Sequence, residues 1–289
     1  MFSTNQSGHI RMIFINELEK LYDSREAENI TFLVFQHFKN WNRFQLKENE
    51  NTGLSESELL KFHFALKELK TGKPLQYVLG ETEFYGLKFF VNESVLIPRP
   101  ETEELVHLVI NDCKKNHLSS PVILDIGTGS GCIPAALKKT IPDSVVMATD
   151  VSEAALVVAK KNAEINGVEI QFFHHDILSG KDVMEGKADI IISNPPYIPE
   201  KEKNILHKNV VDFEPHIALF SPDNEPLKFY IAISLFAKEK LKRNGKLFFE
   251  VHENFAKDVK QLMEENGFGE VEVVKDMQEK ERMVFGKLG

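Results

Sequence analysis

The chain is poor in cysteine and contains no long apolar run. Its 289 residues include only two cysteines, Cys113 and Cys132, and no C-x-x-C pair. A disulfide framework is therefore not expected, and a reducing compartment fits this composition. The residues up to Ile15 lack the apolar core of a signal peptide, and no stretch reaches the roughly 20 apolar residues of a transmembrane helix. We expect a cytoplasmic protein that has no membrane partner.

An excess of positive charge is also absent. The chain has 35 Lys and Arg residues against 44 Asp and Glu residues, which gives a formal net charge of -9. Proteins that bind phosphate backbones usually carry a basic face, so direct nucleic-acid binding is not expected and a protein or small-molecule substrate is favoured. Because no H-E-x-x-H or other clustered spacing of metal ligands occurs, we expect no metal.

Residues 1–73 are predicted to form a small helical bundle. Ser55 and Glu58 have the S-x-x-E spacing of a capping box ahead of apolar residues at helical spacing. Gly72 followed by Pro74 predicts the end of that helix. This zone therefore reads as an N-terminal domain built from helices.

Residues 74–100 differ in composition from the zone before them. They contain glycines, aromatic and β-branched residues, and a Pro-Arg-Pro segment. Phe84–Val91 is predicted to be one arm of a β-hairpin. We interpret this zone as a connector with structure of its own.

Residues 101–289 alternate strand and helix patterns, which predicts an α/β fold with a mostly parallel sheet of seven strands covered on both faces. Between two of the strands, Ser152 is predicted to cap a helix that runs to Asn166 and ends at Gly167. A further helix is predicted near residues 226–242. The predicted strands are Val122–Ile126, Val145–Thr149, Ile170–His174, Ala188–Ser193, Lys246–Val251, Val271–Val274 and Met283–Phe285.

A glycine-rich turn follows the first of these strands. Residues 125–131 read D-I-G-T-G-S-G, and Asp150 ends the next strand. Ligands of such folds lie at the carboxyl ends of the strands, where Asp150 can accept both ribose hydroxyl protons of a nucleoside. A nicotinamide dinucleotide would prefer G-x-G-x-x-G, but Cys132 occupies the place of its third glycine. Asp125 suits the cationic amino-acid end of S-adenosylmethionine, through water or the loop amides, and a glycine turn without a ligand is the alternative.

The third strand is followed by Asp176 and Ile177, which suit the adenine amino group and the adenine ring. The alternative is an aspartate that only makes a turn. His174 and His175 are interpreted as alternating strand residues rather than ligands. The predicted cofactor-binding residues are Asp125, Gly127, Thr128, Gly129, Ser130, Gly131, Asp150, Asp176, Ile177 and Asn194.

The fourth strand is followed directly by Asn194, Pro195, Pro196 and Tyr197, which are the predicted catalytic residues. A proline turn is the alternative. A planar amide or aromatic amine is a poor nucleophile, and its two N–H groups need acceptors. The Asn194 side-chain oxygen and the Pro195 carbonyl can hold such a nitrogen toward a methyl donor, stabilising the positive charge that develops on it. Tyr197 is expected to pack on the flat face of the substrate amide.

The chain from Pro74 onward resembles the family of peptide-chain release-factor glutamine N5-methyltransferases. The resemblance implies a class I, Rossmann-like methyltransferase that follows a small helical domain. It also implies that S-adenosylmethionine donates a methyl group to the glutamine in the Gly-Gly-Gln motif of release factors. By the same resemblance, residues 127–131 and Asp150 would bind the cofactor, and residues 194–197 would hold the glutamine. The matching segments are residues 74–77, Gly80, residues 84–86, 96–103, 125–131, 194–198 and 213–215, and Ala218-Leu219.

Two segments depart from the family pattern. Glu279 stands where glycine is common, and residues 225–231, which end at Ile231, lack the common glycine and arginine. Two alternatives stay open at this point. One is a DNA adenine N6-methyltransferase, which uses the same nitrogen chemistry on a flipped base. The other is a methyltransferase fold retained only for docking to a partner.

Overall fold

The computed structural model describes residues 2, 4–180, 182 and 184–289. Their contacts define two units. The N-terminal unit comprises the described residues through Gly80 together with His207–Phe213, and the sheet unit comprises Glu81–Leu206 and Glu214–Gly289. The predicted domain borders at residues 73 and 100 differ from the border at Gly80 and stay predictions; Met1, where the first predicted domain begins, lies outside the described residues.

The N-terminal unit is helical, as predicted. Phe14, Phe35 and Phe62 are fully buried in its core, and the Phe35 and Phe62 ring centroids lie 4.5 Å apart. The capping box is confirmed, because the Ser55 hydroxyl accepts from the Glu58 N–H and the Glu58 carboxylate accepts from the Ser55 N–H. The helices of this unit before Gly80 are α1 (Ser7–Leu18), α2 (Ser24–Lys39), α3 (Arg43–Glu48), α4 (Glu56–Leu69) and α5 (Leu75–Leu79).

A two-stranded hairpin opens the sheet unit. Its strands are β1 (Glu81–Phe84) and β2 (Leu87–Phe90). The prediction that Phe84–Val91 forms a single arm is wrong, because the chain reverses inside that range. Tyr85 and Gly86 have φ angles of 51° and 72°, the left-handed pair that a two-residue hairpin turn requires. A tyrosine in that conformation gives no turn signal in the sequence.

The remaining elements alternate helices with strands. The predicted cap and end of one helix are confirmed, since the Ser152 hydroxyl accepts from the Ala155 N–H and Gly167 adopts the left-handed conformation. Short 3-10 turns lie at Ile177–Ser179, Glu200–Ile205 and Glu253–Phe255. The elements are α6 (Pro100–Lys115), β3 (Val122–Ile126), α7 (Cys132–Thr140), β4 (Val145–Asp150), α8 (Glu153–Asn166), β5 (Gln171–His174), β6 (Ala188–Ser193), β7 (Ile198–Pro199), α9 (Lys208–Phe213), α10 (His216–Leu219), β8 (Phe220–Ser221), α11 (Lys228–Lys240), β9 (Leu241–Glu250), α12 (Ala256–Glu265), β10 (Phe268–Lys275) and β11 (Glu281–Leu288).

Within the described residues, seven of these strands form one sheet in the order β10-β11-β9-β6-β3-β4-β5. The five strands from β9 to β5 run parallel, whereas β11 is antiparallel to both of its neighbours. One core cluster packs α11 and α12 on one face of the sheet, and another packs α6 and α7 on the opposite face. The predicted α/β fold with a mostly parallel sheet is therefore confirmed.

The register of the parallel strands places their carboxyl ends side by side. Ile126 of β3 pairs with Ser193 of β6, and Ser193 pairs with Phe249 of β9. The residues that follow these pairs therefore meet at one edge of the sheet, where ligands of doubly wound folds bind. Among the described residues, no helix is both long enough and apolar enough to cross a lipid bilayer.

Candidate active site

A cavity of about 300 Å³ opens in the sheet unit at the carboxyl edge of the parallel strands. Segments from several elements line it, including the Pro98-Arg99 turn and the start of α6. The predicted site residues that the structure brings together there are Gly127, Thr128, Gly129, Ser130, Asp150, Asp176, Ile177, Asn194, Pro195 and Pro196. The lining residues do not include Asp125, Gly131 or Tyr197. The positions of these three residues are described below.

The glycine turn is held against the end of β4. The Gly129 N–H donates to Asp150 Oδ2 at 2.8 Å, and the Ser152 N–H donates to Asp150 Oδ1 at 2.8 Å. Gly127 and Gly129 have φ angles of 76° and 54°, a region that L side chains rarely adopt. A carboxylate has about four acceptor positions, so Asp150 can still accept from the hydroxyl groups of a ligand.

Gly131 immediately precedes α7, and the packing of this turn requires a glycine there, while its contact with a cofactor stays a prediction. Its φ is 78°, and a Cβ at this position would lie 3.0 Å from Ala159 Cβ and 3.1 Å from Ala159 Cα. The turn therefore approaches α8 closely only because Gly131 has no side chain. This contact fixes the position of the lining residues that precede it.

Asp125 lies behind the turn and is fully buried. Neither of its carboxyl oxygens makes a hydrogen bond of normal geometry with a described residue, although the Thr128 hydroxyl is near enough to lower the pKa of the carboxyl. Burial raises the pKa of the Asp125 carboxyl to about 7, the Thr128 hydroxyl opposes this shift, and the Asp150 charge adds to it. A buried carboxyl without partners is costly, so this group is a candidate for pairing with a cationic ligand through the loop.

Asp176 both makes a turn and lines the cavity. Its Oδ1 accepts from the Leu178 N–H at 2.9 Å, which begins the 3-10 turn at Ile177–Ser179. Asp176 therefore makes the turn that the alternative interpretation predicted, and it also lies in the cavity wall. Its position beside Ile177 in the cavity wall leaves the adenine role as a prediction.

The Asn194-to-Tyr197 loop, residues 194–197, is anchored at its start and at its end. At the start, the Ser193 hydroxyl donates to the Ile126 carbonyl at 2.6 Å. The Asn194 Nδ2 donates to the Thr102 hydroxyl at 3.2 Å, and its Oδ1 is left to face other groups. At the end, the Tyr197 hydroxyl donates to Glu250 Oε1 at 3.0 Å. Contact of Tyr197 with a substrate amide stays a prediction, since its hydroxyl bonds inside the protein.

Four polar residues, Thr102, Glu250, Arg99 and Glu214, support the site but were not among the predicted site residues. The Thr102 hydroxyl donates to Glu250 Oε2 at 2.7 Å. The buried Glu214 carboxylate accepts from Arg99 at 2.5 Å and from the Ile97 N–H at 3.2 Å, which holds the Pro98-Arg99 turn of the cavity wall. One signal was available for Glu250: it is an acidic residue near the carboxyl end of a predicted strand, as Asp150 is.

The lining groups fit S-adenosylmethionine. The Asp150 carboxylate can accept from ligand hydroxyl groups, and the turn has positive φ angles and open space at Gly127 and Gly129. Behind the lining, Asp125 adds a fully buried carboxyl. The cavity volume falls at the lower end of the range for small-molecule sites. In the part of the chain that the structure describes, no group of three or more His, Cys, Asp or Glu side chains is arranged to hold a metal ion.

Comparison with known proteins gives the following similarities. Residues 105–213 match the methyltransferase small domain, and residues 14–80 match the PrmC N-terminal domain. The chain is 42% identical over 275 residues to the release factor glutamine methyltransferase of Flavobacterium psychrophilum, covering 95% of this chain and 96% of that protein. It is 37% identical over 267 residues to the protein of the same name from Bacteroides thetaiotaomicron, covering 92% of this chain and 95% of that protein.

A solved structure shares the fold. The crystal structure of a methyltransferase from Pyrococcus furiosus matches with a TM-score of 0.52 and 21% identity, covering 71% of this chain and 91% of that chain. At this identity the likeness concerns architecture alone.

Proposed function

Because this chain belongs to the family of release factor glutamine methyltransferases, we propose that it methylates the side-chain nitrogen (N5) of a glutamine in a translation release factor. The proposed target is the glutamine of the Gly-Gly-Gln motif, and the proposed methyl donor is S-adenosylmethionine. The relatives are named for a glutamine substrate, so the DNA adenine alternative is not retained. Retention of the fold for docking alone is not supported either, because the polar groups of the site are present and ordered around the cavity.

The observation that carries this proposal is the orientation of the Asn194 amide. Its Nδ2 is occupied by the Thr102 hydroxyl, so Oδ1 is the atom available for a substrate N–H. The Pro195 carbonyl is a second acceptor in the same loop, and Pro195 lines the same cavity. Two acceptors from one loop would match the two N–H groups of a primary carboxamide.

The cofactor residues would act at three places along the strand ends. Asp150 would accept from the two ribose hydroxyls, while Asp176 and Ile177 would contact the adenine. Asp125 would balance the charge of the amino-acid end across the glycine turn, residues 127–131, by way of the loop amides. When bound, S-adenosylmethionine supplies an electrophilic methyl group attached to a positively charged sulfur.

The protein groups would orient the glutamine nitrogen and stabilise its developing charge. Asn194 Oδ1 and the Pro195 carbonyl would accept one N–H each and point the nitrogen lone pair toward the methyl donor. As the N–C bond forms, the bond from the methyl carbon to the donor sulfur would break and leave the neutral thioether S-adenosylhomocysteine. Positive charge would then grow on the nitrogen, where the two oxygen dipoles would stabilise it. The methylated nitrogen then releases one proton to water, so the site needs no strong base. Alignment of the two reacting centres supplies much of the remaining rate enhancement.

The N-terminal helical domain, predicted at residues 1–73, is proposed to recognise the release factor. Support for this comes from the match of residues 14–80 to a domain that the same family carries, and from a net charge of -9 that does not favour a phosphate backbone. No direct nucleic-acid contact is part of the proposal. Since release factors act at the ribosome, the proposed place of action is the cytoplasm.

The function is tested by incubating the purified protein with labelled S-adenosylmethionine and either release factor or double-stranded DNA. We expect one methyl group per release factor, located on the Gly-Gly-Gln glutamine by fragment mass spectrometry. A release factor with that glutamine replaced by alanine is the matched control and should take no label. Label in DNA but not in release factor, or label at another residue, contradicts the proposal.

A further inference from the structure

The Glu250 side chain accepts hydrogen bonds from two hydroxyl groups that lie far apart along the chain. It is the last residue of β9 and is 1% exposed. Its Oε2 accepts from Thr102 at 2.7 Å and its Oε1 accepts from Tyr197 at 3.0 Å. The Tyr230 hydroxyl donates to the Glu250 backbone carbonyl at 3.1 Å, so the residue is fixed through both its side chain and its main chain.

The hydrogen of the Thr102 hydroxyl determines the orientation of Asn194. A threonine hydroxyl has one proton, and here that proton is donated to Glu250. Toward Asn194 the same oxygen can therefore only accept, which requires the amide NH2 group at that position. A flipped amide would place Oδ1 against the Thr102 oxygen, without a proton between them. It would also turn the NH2 group toward the substrate NH2 group, where neither can accept.

The buried carboxyl is not explained by stability. Burial raises the pKa of the Glu250 carboxyl, and the hydrogen bonds from Thr102 and Tyr197 act in the opposite direction. Well-packed apolar side chains of similar volume are often as good as or better than a buried polar group for stability. The residue is thus suited to a task that apolar side chains cannot perform, namely fixing the direction of two hydroxyl donors.

We propose that Thr102 and Glu250 are positioning residues that determine which end of the Asn194 amide faces the substrate. Glu250 orients the Thr102 hydroxyl, Thr102 orients Asn194, and the Tyr197 bond holds the other end of the same loop on the same carboxylate. This inference rests on the proposed glutamine methylation, since it assigns Asn194 Oδ1 to the substrate N–H. It adds to that function two residues, on α6 and β9, that lie outside the Asn194-to-Tyr197 loop.

The test compares Thr102→Val, which removes the hydroxyl at constant shape, with Thr102→Ser, which restores it. We expect Thr102→Val to lower kcat on release factor about 10-fold, since a misplaced catalytic contact loses preorganisation. We expect Thr102→Ser to recover most of that loss. The cofactor Kd measured by calorimetry should be the same in both variants as in the wild-type protein. Thr31→Val is the matched control, because the buried Thr31 hydroxyl bonds only to the Ala27 carbonyl of its own helix.

A double-mutant cycle separates positioning from general damage to the structure. Because Thr102 acts through Asn194, Thr102→Val should reduce kcat no further in the Asn194→Ala background. The inference is overturned by equal fold-losses in the two backgrounds, by wild-type kcat in Thr102→Val, or by a Thr102→Ser variant as slow as Thr102→Val. If Thr102→Val does not fold, Thr102→Ala takes its place in the same cycle. A wild-type protein without activity on release factor would instead contradict the proposed function.

Discussion

Replacing Asp125 with asparagine tests the consequence of burying this carboxyl without a partner. Burial raises its pKa to about 7 from an ordinary value of 3.8. Between these two values the native state binds a proton that the unfolded chain has lost. The contribution of Asp125 to stability is therefore fully present below pH 3.8 and is lost as the pH rises through 7. Asparagine keeps the shape but has no proton to lose in this range.

The size of the effect follows from the two pKa values. One proton difference changes the free energy of unfolding by about 1.4 kcal/mol per pH unit. Between pH 5 and pH 8, the free energy of unfolding of the wild-type protein should fall by about 2.5 kcal/mol relative to that of Asp125→Asn. The comparison uses only the change with pH, so any constant effect of the amide NH2 group in the buried site cancels.

The assay is urea unfolding of both proteins without cofactor, at several pH values from 5 to 8, followed by far-ultraviolet circular dichroism. Trp41 is the only tryptophan of the chain and belongs to the N-terminal unit. Its fluorescence therefore reports separately on a unit that does not contain Asp125. We expect the two stability curves from circular dichroism to diverge as the pH rises, with Asp125→Asn becoming relatively more stable.

Parallel curves would refute the reasoning. They would mean that Asp125 is ionised in the native protein throughout this range, which requires partners or water that offset its burial. Curves that diverge in the opposite direction would mean that a cation inside the protein lowers its pKa. Either result would also weaken the argument that this carboxyl is available to a cationic ligand.

Two further substitutions test the loop and the turn. Asn194→Ala should lower kcat on the order of 100-fold while the cofactor Kd changes little, because it removes one preorganised acceptor; steady-state kinetics and calorimetry check this. Gly131→Ala should destabilise the protein by about 2 kcal/mol more than Gly127→Ala in chemical unfolding without cofactor. Both positions have a positive φ, but only at Gly131 does a Cβ meet Ala159.

Each of these has a clear contrary result. Unchanged turnover in Asn194→Ala would remove that side chain from contact with the substrate nitrogen. Equal destabilisation by the two glycine substitutions would mean that α8 moves away from a Cβ at Gly131 without cost. In that case the approach of the turn to α8 does not fix the cofactor loop.

Much of the site was predictable because its chemistry follows strand ends. A run of apolar residues that ends in a polar residue marks a carboxyl end, and parallel strands bring those ends to one edge. Asp150 lies beside the glycine turn and Asn194 lines the same cavity, as these strand ends predict. Asp125 was predicted to serve the cationic end of the cofactor, which stays a prediction, and its full burial behind the turn is visible only in three dimensions.

The supporting residues could not be found in this way. Thr102 lies in the first turn of a helix, and its partners Asn194 and Glu250 are 92 and 148 residues away along the chain. No local pattern connects them. The last parallel strand was also predicted to begin too late, at Lys246. In the structure β9 begins at Leu241, Asn244 has a φ of 66°, and the pairing with β6 shifts register in this region.

The distance along the chain between Thr102 and Glu250 has a consequence for biosynthesis. During translation, the N-terminal helices, the glycine turn and residues 194–197 are all made before Glu250. A nascent chain that ends before β9 has the groups assigned to the cofactor but has no acceptor for the Thr102 proton. Because domains generally fold as units, we expect the orientation of Asn194 to become unique only when β9 joins the sheet. A product of this chain that ends before β9 should therefore not methylate the factors that end translation.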